Sequence, residues 1–96
     1  LPMQALAALT SRNAARIFGI SGKGVLAAGF DADITILDPK EERKVSAEGL
    51  HYKCGWTPYE GMRIVGWPKH TFVMGEAAYS DGSFSKAKGR SVVYAV

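Results

Sequence analysis

At 96 residues the chain has room for one small domain or one piece of a larger one, and a hydrophobic share of 47% excludes a disordered tail. A net charge of +3, from 12 basic and 9 acidic side chains, leaves no basic run beyond pairs near 40–44 and 86–90, too weak a balance to argue for nucleic acid. One cysteine excludes an internal disulfide framework and fits a reducing compartment, with cytoplasm as the expected setting. No apolar run approaches the ~20 residues that cross a bilayer, and no secretory leader is visible, so neither a membrane nor an export role is expected.

The start, LPMQALAALT, enters directly on a helix approach with Pro2 suited to a first turn. Lacking an initiator Met, the chain reads as a fragment or processed piece. Leu6, Leu9, Ile17 and Phe18 with Ala-rich filling favour helix from Met3 to Ile20. Thr10, Ser11 and Asn13 carry cap-type side chains, which predicts two short helices, the second opening near 11–13 and stopping at Gly19. After Ser21 the helical period gives way to glycine-punctuated alternation. A short strand is expected at Val25 and Leu26. A better one follows, with Ala32, Ile34 and Ile36 facing a core and Pro39 stopping it. Lys40 to Lys44 reads as a charged exposed segment, and Ser46 as the cap of a brief helical turn. Further strands are expected at 62–65, 70–74, 76–79 and 91–94, with tight turns at Met74-Gly75 and Asp81-Gly82. Helix first and short strands after is an α+β order.

Several residue groups invite a chemical reading. Asp31 and Asp33 stand two apart, so on a strand they share a side, as metal or acid–base work by paired carboxylates requires. The alternative has Asp31 ending a turn and Asp33 facing solvent, and it is preferred. Asp38 before Pro39 reads as a turn former. His51 and His70 lie nineteen apart with no partner at ligand spacing, and Cys54 alone completes no metal site. Cys54 three residues after His51 suggests an activated thiol only if a base and an oxyanion pocket converge on it; a buried Cys beside Trp56 is the simpler expectation. Tyr52, Trp56, Tyr59, Trp67 and Phe72, interleaved with Lys53, Arg63 and Lys69, suit either base stacking or a β-domain's core and rim, and the second is preferred. GISGKG lacks phosphate-loop spacing and precedes a strand.

TSRNAARIFGI followed by KGVLAAGFDADITILDP resembles the C-terminal part of the amidohydrolase superfamily. In that superfamily an NxARxFG helix leaves the metal-bearing barrel, and a KGxxxxGxDADxxxxD segment enters a small β-sandwich. LHYKCGWTPYEGM, TFVMGEAAYSDGSF and KGR look like the tail of cyclic amidases and are closest to dihydroorotases, the distinction from hydantoinases, dihydropyrimidinases and allantoinases resting on Tyr52 to Gly61. The resemblance covers nearly the whole chain.

It implies a parent hydrolase of a cyclic amide, with one or two divalent ions, usually zinc, activating water. The family's ligands are a His-x-His pair, a carboxylated Lys, two further His and an Asp, all on barrel strands. None is matched here, so no catalytic, cofactor-binding or metal role passes to any residue, and the isolated chain is expected to be inactive. Residues 1–20 would close the parent barrel and 21–96 would form a composite β-sandwich. The expected partners are the missing N-terminal barrel of the same polypeptide and, without it, further copies of this chain. A nucleic-acid-binding β-module and a free-standing interaction module remain as rivals of another class.

Overall fold

The computed structural model describes residues 2–94. A helix opens at Pro2, whose extended backbone gives way to α1, Met3–Ala7. It continues through a π-helical turn, Ala8–Arg12, into α2, Asn13–Ile17, and the residues at each junction keep right-handed helical backbone. The expected break at Thr10 to Asn13 is therefore a widened turn within one helix. Thr10 Oγ1 donates to the Leu6 carbonyl at 2.8 Å, so this hydroxyl bonds back along the helix where a cap was expected. The end falls where the sequence placed it, with Gly19 at φ 65°.

Strand β1, Ile20–Ser21, leaves the helix and pairs antiparallel with β6, Val93–Tyr94, near the other end of the chain. Val25 and Leu26 form no strand, because glycines at 22, 24 and 29 all take positive φ and keep this stretch turning. The main sheet is antiparallel, in the order β2, Ile34–Lys44; β3, Arg63–Val73; β4, Glu76–Ser80; β5, Ser83–Phe84.

Pro39 does not stop β2. The ladder pairs Asp38 with Trp67 and resumes at Glu42 with Val65, so residues 39–41 bulge outward opposite Gly66. A proline has no N–H to lose there, and Asp38 closes the bulge by accepting the Lys40 amide at 3.0 Å. The charged segment 40–44 is consequently strand. Pro68 sits beside the second irregularity, between the Ile36 and Leu37 pairings, which lets the runs expected at 62–65 and 70–74 join as one strand.

The turns follow the sequence closely. Met74 (φ 51°) with Gly75 (φ 81°), and Asp81 (φ 44°) with Gly82 (φ 94°), are two-residue hairpin loops between paired residues, the type I′ geometry that suits strand twist. Ser46 Oγ accepts the Glu48 amide at 3.3 Å and caps a short helical turn, Ala47–Gly49.

Burial departs furthest from expectation. Among the described residues Ala15 is the buried hydrophobic side chain, at 8% exposure, and Ile36, assigned to a core face, is 47% exposed. Accessible surface is 7642 Å², roughly 2,300 Å² above what a compact monomer of this mass exposes. The radius of gyration, 15.3 Å, likewise exceeds the ~12.5 Å expected for a compact chain of this length. The sheet is held by its ladder and by surface charge. Lys69 joins Glu41 at 2.8 Å and Asp81 at 3.0 Å, Arg43 pairs with Glu41 at 3.0 Å, and the Arg43 guanidinium lies 4.9 Å over the Trp67 ring.

The Lys69 ammonium holds both the Glu41 and Asp81 carboxyls below their ordinary values, and they raise its own. Depressed carboxyls stabilise the fold above their unfolded values and cease to do so as pH falls through the folded ones. Acidification below pH 4.5 should thus lower the melting temperature of the native sequence more steeply than that of Lys69→Met, and parallel acid limbs would contradict this. Gly24 provides a second check. At φ 90°, with a Cβ placed 2.9 Å from that of Ala15, Gly24→Ala should destabilise by more than about 1 kcal/mol in denaturant unfolding.

Candidate functional site

The paired aspartates come together, but on a lysine. Lys23 Nζ lies 3.1 Å from Asp31 Oδ2 and also bonds Asp33 Oδ2. Each carboxylate is engaged on its other side as well. Arg90 Nη2 donates to Asp31 Oδ1 at 3.2 Å, and the Met74 amide donates to Asp33 Oδ1 at 2.9 Å. Gly22 supports the group by accepting the Asp31 amide at 2.7 Å. Lys23 holds the Asp33 carboxyl below its usual range, with the Met74 amide adding to the effect, and Asp33 followed by Asp31 raises the Lys23 ammonium.

This arrangement does structural work. Met74 carries the left-handed backbone of a hairpin turn, uncommon for a side chain of its kind, and Asp33 satisfies its amide there. Gly75 N donates to the Ala32 carbonyl at 3.0 Å beside it. A general base or metal ligand needs a free lone pair aimed at a substrate or ion. Here both carboxylates face cations of the chain itself, and Asp33, expected to face solvent, also accepts the Met74 amide. Sequence reasoning missed Lys23 and Arg90 as their partners. For Lys23 the signal was an opposite charge set among turn-forming glycines eight and ten residues upstream; nothing local marked Arg90.

The histidines stand apart. His70 Nδ1 lies 2.9 Å from Ser80 Oγ across the β3–β4 ladder, and His51 packs edge-on against Phe84 at 4.7 Å between centroids. Among the described residues no three His, Cys, Asp or Glu side chains form a group fit for a metal ion. The donor set of this chain therefore does not fit the zinc centre implied by the resemblance, and no chemical step is derived through one.

Cys54 is exposed, against the expectation of burial, because the segment Leu50 to Tyr59 forms a loop outside the sheet. Its thiol donates to the Trp56 carbonyl at 3.6 Å. Tyr52 donates its hydroxyl to the same carbonyl. Leu50, His51, Tyr52, Trp56 and Tyr59 line a shallow depression of about 550 Å³, with Trp56 63% exposed. Trp67 and Phe72, by contrast, lie on β3 and are partly buried. The aromatic residues thus split between strand and loop.

Comparison with known proteins gives the same assignment as the motifs. Over 92 residues the chain is 42% identical to a dihydroorotase of Methanosarcina acetivorans, covering 94% of this chain and 20% of that protein. It is 37% identical over 83 residues to a D-phenylhydantoinase of Escherichia coli, covering 85% and 18%. Among solved structures, the L-hydantoinase (dihydropyrimidinase) of Arthrobacter aurescens superposes with a TM-score of 0.84 at 32% identity, over 96% of this chain and 21% of that one. The chain spans about one fifth of the length of the curated relatives it matches. The model of the amidohydrolase family matches residues 1–78, and with relatives this similar across most of its length, the chain belongs to that family.

Proposed function

We propose that this chain is a structural, C-terminal piece of a metal-dependent cyclic amidohydrolase of the dihydroorotase kind. The parent adds water across a ring amide, breaking its C–N bond and opening dihydroorotate to carbamoyl aspartate in pyrimidine biosynthesis. The observation that carries the ring assignment is 42% identity to a dihydroorotase, against 37% to a phenylhydantoinase. A hydantoinase, dihydropyrimidinase or allantoinase parent is the second reading. The hydantoinase superposition at a TM-score of 0.84 favours it.

In this reading the helix of residues 3–17 closes the helical layer of the parent barrel, and residues 21–96 contribute to a composite β-sandwich. Zinc is held by residues outside this chain, in a cytoplasmic enzyme. The exposed side chains of Leu6, Leu9, Ile17 and Phe18 on the helix, and the open edge of β2, support a role completed by further polypeptide. The surplus accessible surface is of the size an obligate interface covers.

Turnover of the full-length enzyme on dihydroorotate, hydantoin, dihydrouracil and allantoin tests the substrate, with dihydroorotate expected to be opened fastest; activity on hydantoin alone would overturn the assignment. Asp31→Asn and Asp33→Asn in the same enzyme should each lower stability, by about 1 kcal/mol for a lost hydrogen-bonded partner, and leave kcat and bound metal nearly unchanged. A kcat loss of roughly 100-fold or more with intact folding would make these carboxylates catalytic. The 96-residue chain by itself should hydrolyse none of these rings and should self-associate, and sedimentation as a folded monomer at high concentration would refute the latter.

A further inference from the structure

The helix and the four-stranded sheet do not pack on each other through any of their described elements: the helix touches β1, β1 pairs with β6, and β2 to β5 pack only among themselves. Within this chain, the segment between them is what links the two. The intervening segment carries three observations that together identify it.

Gly24 stands against the helix backbone where the π turn widens it. A Cβ on Gly24 would lie 2.9 Å from Ala15 Cβ, 3.0 Å from the Ser11 carbonyl oxygen and 3.3 Å from Arg12 Cα. The turn Ala8–Arg12 contains no Gly or Pro; Thr10 within it bonds back to the Leu6 carbonyl, and Gly24 lies against its last two residues. Next, Lys23, adjacent to Gly24, is held by Asp31 and Asp33. Lastly, those two carboxylates are anchored in the sheet and the C-terminal segment, Asp33 through the Met74 amide at the β3–β4 turn and Asp31 through Arg90.

We propose that residues 22–33 form a charge-latched joint: the Lys23 bridge to Asp31 and Asp33 presses Gly24 into the π turn and thereby sets the helix against the sheet. Met74, Asp33, Lys23, Gly24 and Ser11 make a continuous chain of contact across the molecule. Within this chain the helix is tied to the sheet by one lysine's charge and one glycine's lack of a side chain, with no direct packing between the helix and β2 to β5. The joint is independent of which ring the parent opens, since each of its contacts lies within this chain.

Hydrogen–deuterium exchange on the full-length polypeptide tests it. Lys23→Met keeps the aliphatic stem and removes the charge, and should speed exchange of amides 11–16 by about tenfold, the size of a coupling between contacting sites, while β2 and β3 amides stay protected. Gly24→Ala should produce the same local pattern, and the double variant should be no worse than the more affected single one. Lys40→Met, which removes an equal charge from the outward bulge of β2, should leave the helix unchanged. Should Lys23→Met fail to fold, Asp33→Asn replaces it, with the same pattern expected. Equal acceleration in helix and sheet, no acceleration in either, or additive effects of the two substitutions would each overturn the proposal.

Discussion

A lysine ammonium held between two carboxylates ties together segments that do not otherwise pack on one another. Around it converge the exit of the helix, the entry to the longest ladder, the first hairpin turn and the C-terminal segment. The partners are partly exposed, so water screens the attraction, and no single pair contributes much by itself. Its weight comes from position. Each ion pair also carries a backbone task, and Asp33 in particular makes a left-handed Met74 tenable by accepting its amide.

The local turns were legible in the sequence because a short stretch of chain determines them. Met74-Gly75 and Asp81-Gly82 place glycine second in a two-residue loop, and Ser46 offers a hydroxyl to an amide two residues on. The bulge at Pro39 was not legible, since what lets β2 continue is Gly66 on the opposite strand, far away in sequence. The π turn was hidden for the same reason. Thr10, Ser11 and Asn13 looked like a helix boundary, yet the backbone stays helical through a widened turn, with Thr10 bonded back to Leu6 and Gly24 lying against the turn from outside. At the candidate site the two aspartates stood out at once, but their role depended on Lys23, Arg90 and Met74, which approach from three different segments.

Family membership and physical incompleteness support one another. The amidohydrolase family model matches residues 1–78, yet the side chains that a compact domain would bury lie open. Leu9, Ile17 and Phe18 form no core with the sheet, and Ile36 and Leu37 remain exposed on its outermost long strand. Apolar surface of this extent favours covering over solvation, at roughly 25 cal/mol for each Å² removed from water. Recognition motifs can therefore be complete in a chain whose packing is not.

The bulge at Pro39 divides the free edge of β2 into unequal halves. Beyond it, Lys40, Glu41, Glu42, Arg43 and Lys44 present charge, and the proline itself offers no amide. Before it, Ile34 to Leu37 is uncharged, rich in β-branched residues and free of proline. An arriving strand can zip along the first half and is turned away at the second, so the edge carries its own stop mark and fixes how far the sheet can grow.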